Sequence, residues 1–203
     1  MIDAVDETLL GLLRTGLDGI NVPPGNVAAI SPADANGDIR CGIFLYASIE
    51  NPSLKNEPPR PDPNNPHGAL LRSPLTLDLY YLLTAYGNND PLEREERAHE
   101  VLSVALRVLY DSGVIKGSQI ALPLRNQIDE LRLSLIPITI EDMTRIWSVF
   151  PNQAYRPSVS FLVTPVPIFT EDSTTAVRVV ERQQETGIAK DPIRRSDPER
   201  SLS

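Results

Sequence analysis

Residues 74–86 read Pro74-Leu75-Thr76-Leu77-Asp78-Leu79-Tyr80-Tyr81-Leu82-Leu83-Thr84-Ala85-Tyr86, and their alternation decides the fold. Leu75, Leu77, Leu79, Tyr81, Leu83 and Ala85 share one face, which is the period of a β-strand. The opposite face, Thr76, Asp78, Tyr80, Leu82, Thr84 and Tyr86, is mixed. A strand partly apolar on both sides belongs in the middle of a sheet that is covered on both faces. Asp78 is the odd residue, and the simplest reading places it beside solvent or an arginine.

Other elements fall into place around this strand. Upstream, residues 40–50 carry Cys41, Ile43, Leu45, Ala47 and Ile49 on one face and read as a second strand. Before it, Ile2, Val5, Leu9, Leu12 and Leu13 make the apolar stripe of a helix over residues 2–14. Asp3, Asp6 and Glu7 sit in its first turns and Arg14 in its last, as the helix dipole favours; Gly16 and Gly19 are expected to end it. Downstream, Asp90-Pro91-Leu92-Glu93 reads as an N-cap, a proline at the first helical position and a glutamate at the third. That helix runs to about Tyr110, with Ala98, Val101, Leu102, Ala105, Val108 and Leu109 turned inward. Strands are expected near 119–122, at 131–136 and at 157–164, the last near a sheet edge because Pro165 and Pro167 follow. A third helix opens at Thr139, with Ile138 and Met143 placed as a hydrophobic staple. Its inner face is Ile140, Met143, Ile146, Trp147 and Phe150. The expectation is an α/β (α+β) fold: a mixed sheet of about five strands flanked by about three helices, within residues 1–170.

Composition bounds the rest. The chain has 203 residues, enough for one domain with a real core. Its 19 prolines are about 9% of the residues, against a usual ~5%, which excludes an all-helical bundle. Seven of them, Pro52, Pro58, Pro59, Pro61, Pro63, Pro66 and Pro74, lie in an arm over residues 51–74. Residues 171–203 form a β-branched run and then a charged, apolar-poor tail expected to be flexible. The formal charge is −8, so binding to nucleic acid is not expected. An acidic N-terminus and the lack of any long apolar run lead to the expectation of a cytoplasmic protein without membrane insertion.

Catalytic and cofactor signatures are missing: no phosphate-binding glycine loop, no dinucleotide fingerprint and no nucleophile elbow. His67 and His99 have no partners at metal-ligand spacing. Cys41, on an apolar strand face, reads as a buried thiol rather than a nucleophile. The charges from Glu93 to Glu100 read as a solvated helix face, with an oligomer contact as the alternative, and Trp147 as core or as an interface anchor. No catalytic, metal or cofactor residue is assigned.

Four stretches in fixed order carry a resemblance. They are Met1-Ile2-Asp3-Ala4-Val5-Asp6-Glu7-Thr8-Leu9, residues 77–86 above, Val104-Ala105-Leu106-Arg107-Val108-Leu109, and Ile146-Trp147-Ser148-Val149-Phe150 ahead of Tyr155-Arg156-Pro157-Ser158-Val159-Ser160. Together they resemble the N-terminal domain of the cap, or tail-terminator, proteins of extracellular contractile injection systems. These are phage-tail-like particles of the Photorhabdus virulence cassette and antifeeding prophage type. The resemblance implies a structural protein, assembled in the cytoplasm into a homohexameric ring, with the sheath and inner-tube proteins as partners and no catalysis. Such a ring closes the distal end of tube and sheath. Sheath subunits in these particles join by lending terminal strands, so the β-branched run at 174–180, with Thr174, Val177, Val179 and Val180, is a candidate interface. The proline arm, with Pro58, Pro61, Pro63 and Pro66, is a second. The competing readings are a neck or tail-completion protein of a related phage particle, and a small enzyme using dispersed carboxylates such as Asp78 and Asp142.

Overall fold

The structure is a computed structural model that describes residues 1–55, 60–61, 70–71, 73–151, 153–169 and 173–174. Among the described residues three α-helices, α1 (Ile2–Leu17), α2 (Arg94–Asp111) and α3 (Ile140–Ser148), accompany a main sheet of six strands. In chain order these strands are β1 (Val27–Ala29), β2 (Cys41–Glu50), β5 (Leu75–Ala85), β6 (Val114–Lys116), β7 (Glu130–Ile136) and β8 (Ser158–Ile168). Their order across the sheet is β1-β2-β5-β8-β7-β6, with only the β1–β2 pair parallel. A second small sheet joins β3 (Arg60–Pro61), β4 (Leu70–Leu71) and β9 (Ser173–Thr174), in that order.

Strand β5 is central, as its two-faced sequence predicts. On one side Leu79, Tyr81 and Leu83 meet Leu9, Leu13 and Leu17 of α1 and Val101, Ala105 and Leu109 of α2 in the main core. The rings of Tyr81 and Phe161 stack at 5.4 Å. On the other side Leu82 joins Met143, Trp147 and Phe150 in a second core, edged by Phe44, Tyr46, Ile138 and Ile146. Phe150 meets Phe44 and Trp147 edge-on, at 5.5 and 6.0 Å. Thr139 caps α3 by accepting the Asp142 N–H at 3.1 Å, and Ile138 and Met143 share the second core as the staple requires. Ile140, expected inward, is 82% exposed because it occupies the first turn, before the helix reaches the sheet.

Several boundaries differ from expectation for physical reasons. Helix α1 runs through Gly16 to Leu17 instead of ending there. Gly16 serves close approach: a Cβ on it would stand 2.1 Å from Val108 Cγ2 of α2. Helix α2 starts at Arg94, not Pro91. Asp90 instead accepts the Leu92 N–H at 2.9 Å in a preceding turn. Gly87 then lets the chain pass where a Cβ would lie 1.8 Å from the Arg94 carbonyl oxygen. The short strand expected at 119–122 does not form; the strand here is the earlier β6, and Gly117, at φ +55°, turns the chain after it so that Ile120 plugs the core. Strand β1 arises inside the stretch read only as turns. Strand β8 continues through Pro165 and Pro167 to Ile168 and lies inside the sheet, between β5 and β7. Its partnership with β7 stops at Thr164, so the prolines occupy a stretch with one open side. Strand β2 loses its simple alternation at a bulge between Leu45 and Ala47, which moves Ile49 off the main core and leaves it 53% exposed.

Polar bonds tie α1 to the rest. Thr8 is buried, donating to the Ala4 carbonyl at 2.7 Å and accepting the Ala121 N–H at 2.9 Å. Tyr81 donates its hydroxyl hydrogen to Asp6 at 2.7 Å. Burial lifts the Asp6 carboxyl above its ordinary 3.8; the Tyr81 hydrogen bond pulls down and the Asp3 charge pushes up.

Two predictions follow from the α1 contacts. Gly16→Ala gains about 1 kcal/mol in helix propensity but overpacks Val108 at about 1–3 kcal/mol, for a net loss of up to about 2 kcal/mol. Gly11→Ala, where nothing lies within 4 Å of the added Cβ, gains about 0.5–1 kcal/mol instead. Urea midpoints of the two variants check the opposite signs. The folded state also holds the Asp6 proton more tightly than the unfolded chain does. Its contribution is therefore complete below pH 3.8 and lost as pH rises through the raised folded value. Asp6→Asn, whose carbonyl still accepts from Tyr81, should flatten stability against pH in the window just above 3.8, as read by denaturation from acid to neutral pH.

Candidate interaction surface

The residues with reactive side chains are spent on structure. Cys41 is fully buried, and burial pushes its thiol up to about 12, far from a nucleophile's range. Asp78, the odd residue of its strand, bonds to neutral partners among the described residues rather than to an arginine. It accepts from Asn51 Nδ2 at 2.8 Å and from the Thr164 hydroxyl, joining the end of β2 to β5 and β8. Asp142 accepts from the Thr139 hydroxyl at 3.0 Å and from Arg145 at 3.4 Å, on the outside of α3. The two carboxylates proposed for a dispersed active site thus work in separate local networks. His99 is exposed on α2, and His67 lies outside the described residues. Among the described residues no three His, Cys, Asp or Glu side chains come together as a metal site.

A cleft of about 240 Å³ at the end of β5 is lined by Tyr86, Arg94 and Arg156 together with Asn88, Asn89 and Gln153. Burial pushes the Tyr86 phenol up to about 12, against the opposing pull of the Thr84 hydroxyl and the Arg156 guanidinium. Arg94 is turned back on the loop, donating to the Asn88 and Asn89 carbonyls at 3.3 and 3.4 Å. This cleft holds donors and a buried phenol, with no carboxylate, thiol or imidazole among its lining residues.

What the fold leaves outward is surface for contact. Helix α3 covers only one end of the second sheet face. At the other end Tyr46 and Tyr80 meet at 6.2 Å, Tyr46 shares a hydrogen bond with Ser160 at 2.8 Å, and Leu162 and Thr164 are half-exposed. Near the end of α2, Tyr110, Val114 and Leu135 are exposed apolar residues. The mixed face of residues 74–86 was the only sequence signal for this half-covered surface, and nothing in the sequence marked the group near Tyr110.

Of the interface candidates, Thr174 lies in β9, paired antiparallel with Leu70 of β4, and Pro61 lies in β3, opposite the same Leu70. The small sheet therefore brings the proline arm and the start of the β-branched run together. Val177, Val179, Val180, Pro58, Pro63 and Pro66 lie outside the described residues. Among the described residues no helix is long and apolar enough to cross a membrane.

Comparison with known proteins accords with this picture of a contact-bearing scaffold. The cryo-EM structure of the sheath/tube terminator of an extracellular contractile injection system (PVC), in its extended state, superposes with a TM-score of 0.61 at 20% identity. The match covers 94% of this chain and 65% of that one. The tube-terminating cap of the anti-feeding prophage superposes with the same TM-score of 0.61 at 18% identity, over 91% of this chain and 61% of the cap. This chain therefore spans less than two thirds of either neighbour. Curated protein sequences give no match. The profile of the Pvc16 N-terminal domain matches residues 4–182, which takes in α2, α3, all but the first two residues of α1 and every strand described above, and the chain belongs to that family.

Proposed function

We propose that this protein is a structural cap that closes the distal end of the inner tube and sheath of a contractile injection particle. The observation that carries the reading is the shared fold, extending over more than nine-tenths of this chain, with two proteins that terminate such tubes. Membership of the Pvc16 N-terminal domain family supports it. The cap acts without catalysis, as a homohexameric ring whose partners are its own copies and the sheath and tube proteins. It needs neither nucleic acid nor membrane insertion, and it assembles in the cytoplasm before the particle is released.

A terminator must offer a polymer end the contacts of one more subunit while withholding the next attachment site. In this reading the run at 174–180 pairs across a ring or sheath contact, because adding a strand uses main-chain hydrogen bonds that any extended segment can supply. The proline arm at 51–74 is the second contact, and its prolines lower the entropy lost when it is ordered. The pairing of Ser173 with Leu71 and Thr174 with Leu70 favours the two acting as one unit. A neck or tail-completion protein is the second reading, favoured only by the same contact-bearing architecture.

Negative-stain imaging of the purified protein should show six-fold rings, and isolated tubes should carry density at one end after mixing. A monomer that binds no tube end would overturn the proposal. Deleting residues 171–203 should abolish ring formation and end-binding while circular dichroism stays that of a folded protein. Shortening the arm between Pro58 and Pro66 should weaken end-binding in co-sedimentation without unfolding the monomer.

A further inference from the structure

The exposed edges of the main sheet are not protected alike. At β1 the outward carbonyl of Val27 is taken by Arg14, whose Nε and Nη2 approach it at 3.3 and 3.0 Å. At β6 the edge carries Lys116, paired with Glu130 at 2.9 Å, and Arg132 lies beside them on Glu130 at 2.8 Å. Beyond β6, β7 stops before Pro137, and the open side of β8 holds Pro165 and Pro167. Each device blocks the addition of another strand.

Among the described residues the second half of β2 has none of them. Its parallel partner β1 ends at Ala29, opposite Ile43, while β2 continues to Glu50. The bulge after Leu45 resets the register, so Asn51 donates to the Thr76 carbonyl and residues 47 and 49 also face β5. The N–H and C=O groups of Ser48 and Glu50 therefore point away from the sheet. Among the described residues no strand lies beyond them. The stretch from Ala47 to Glu50 contains no proline, arginine or lysine, its last three residues are exposed, and Ile49 presents an apolar side chain.

We infer that this edge of β2 is the acceptor for the run at 174–180 of a second copy of the chain, an inference that rests on the ring reading above. Thr174-Thr175-Ala176-Val177-Arg178-Val179-Val180 is a β-branched sequence free of proline and glycine, suited to a ladder. The six residues after Thr174 span about 20 Å when extended, close to the length of edge left open from residue 45 to 50. Arg178 matches the exposed Glu50, whose described partner, Lys55, is itself exposed. A closed ring needs a donor patch and a different acceptor patch on each subunit, and these two segments supply one of each.

Ser48→Pro tests the assignment, because it removes an outward N–H and leaves the bonds to β5 intact. The variant should keep the wild-type circular dichroism and melting temperature but assemble into rings at least tenfold more weakly, while Ser48→Thr assembles normally. Should the proline variant fail to fold, disulfide trapping decides instead, with Cys41 buried and silent. Mixing Ser48→Cys protein with Val177→Cys or Val179→Cys protein should give cross-linked pairs joining the two. The chain carrying both Ser48→Cys and Val177→Cys should give covalent ladders up to the ring. Normal rings from Ser48→Pro, or a double-cysteine chain closed only on itself, would overturn the inference and leave the cap reading standing. Normal rings that lose only sheath binding would equally overturn it, assigning the edge to the sheath protein. A wild-type chain that never forms rings would overturn the ring reading itself.

Discussion

Adjacent residues of one strand, Tyr81 and Leu82, are buried in two different cores, and the architecture depends on that. Tyr81 faces α1 and α2, stacks on Phe161 and reaches Asp6; Leu82 faces Met143 and Trp147 of α3 and Phe150 just beyond it. Because side chains alternate along a strand, a one-residue slip of β5 would send each into the wrong core. Full burial of one large side chain is worth about 1.5–3 kcal/mol, against a typical net stability of about 5–15 kcal/mol. Such a slip would place several wrongly at once. The register of the flanking strands β2 and β8 is fixed by the same residues.

Both flanking strands then break their own alternation, each against β5 and each near its far end. Strand β2 bulges at Tyr46, and β8 shifts register between Val163 and Val166, where the Thr164–Pro165 peptide is cis. These irregularities meet around Asp78, which bonds to Asn51 from the end of β2 and Thr164 from β8. A carboxylate there is therefore not a flaw in an apolar strand. It supplies acceptors where two distorted strands leave donors on the second face, which α3 does not reach. The small sheet of the proline arm begins a few residues from this point, leading from Leu71 into β5.

How much of this could be read from the sequence depended on whether the signal was local. The central strand, the three helices, the Thr139 cap and its Ile138–Met143 staple rest on period and on neighbours within a few residues, and they were legible. Gly16 and Gly87 were not, because what they accommodate is Val108 and the Arg94 carbonyl, set by tertiary contact. A bulge carries no composition, so the alternation of Cys41, Ile43 and Leu45 was extended into Ala47 and Ile49, where it fails. Asp90 capped a turn where a helix start was expected, since the same side-chain bond serves both. Of the interface candidates, the pairing of Thr174 with Leu70 shows why spacing could not find it: about a hundred residues separate them, and strands of two residues leave no period to read.

Proline is the compositional excess with which the sequence stands out, and the fold gives part of it a physical meaning. Within the main sheet the prolines stand where a strand would otherwise offer donors to another chain: Pro137 after β7, and Pro165 and Pro167 along the open side of β8. Arg14 on the Val27 carbonyl does the same for β1 by other means. A protein that simply avoided aggregation would treat its edges uniformly. This one guards its other edges and, among the described residues, leaves the end of its ten-residue β2 bare. Selective protection of that kind is what a subunit needs if strand addition must occur at one place and stop everywhere else.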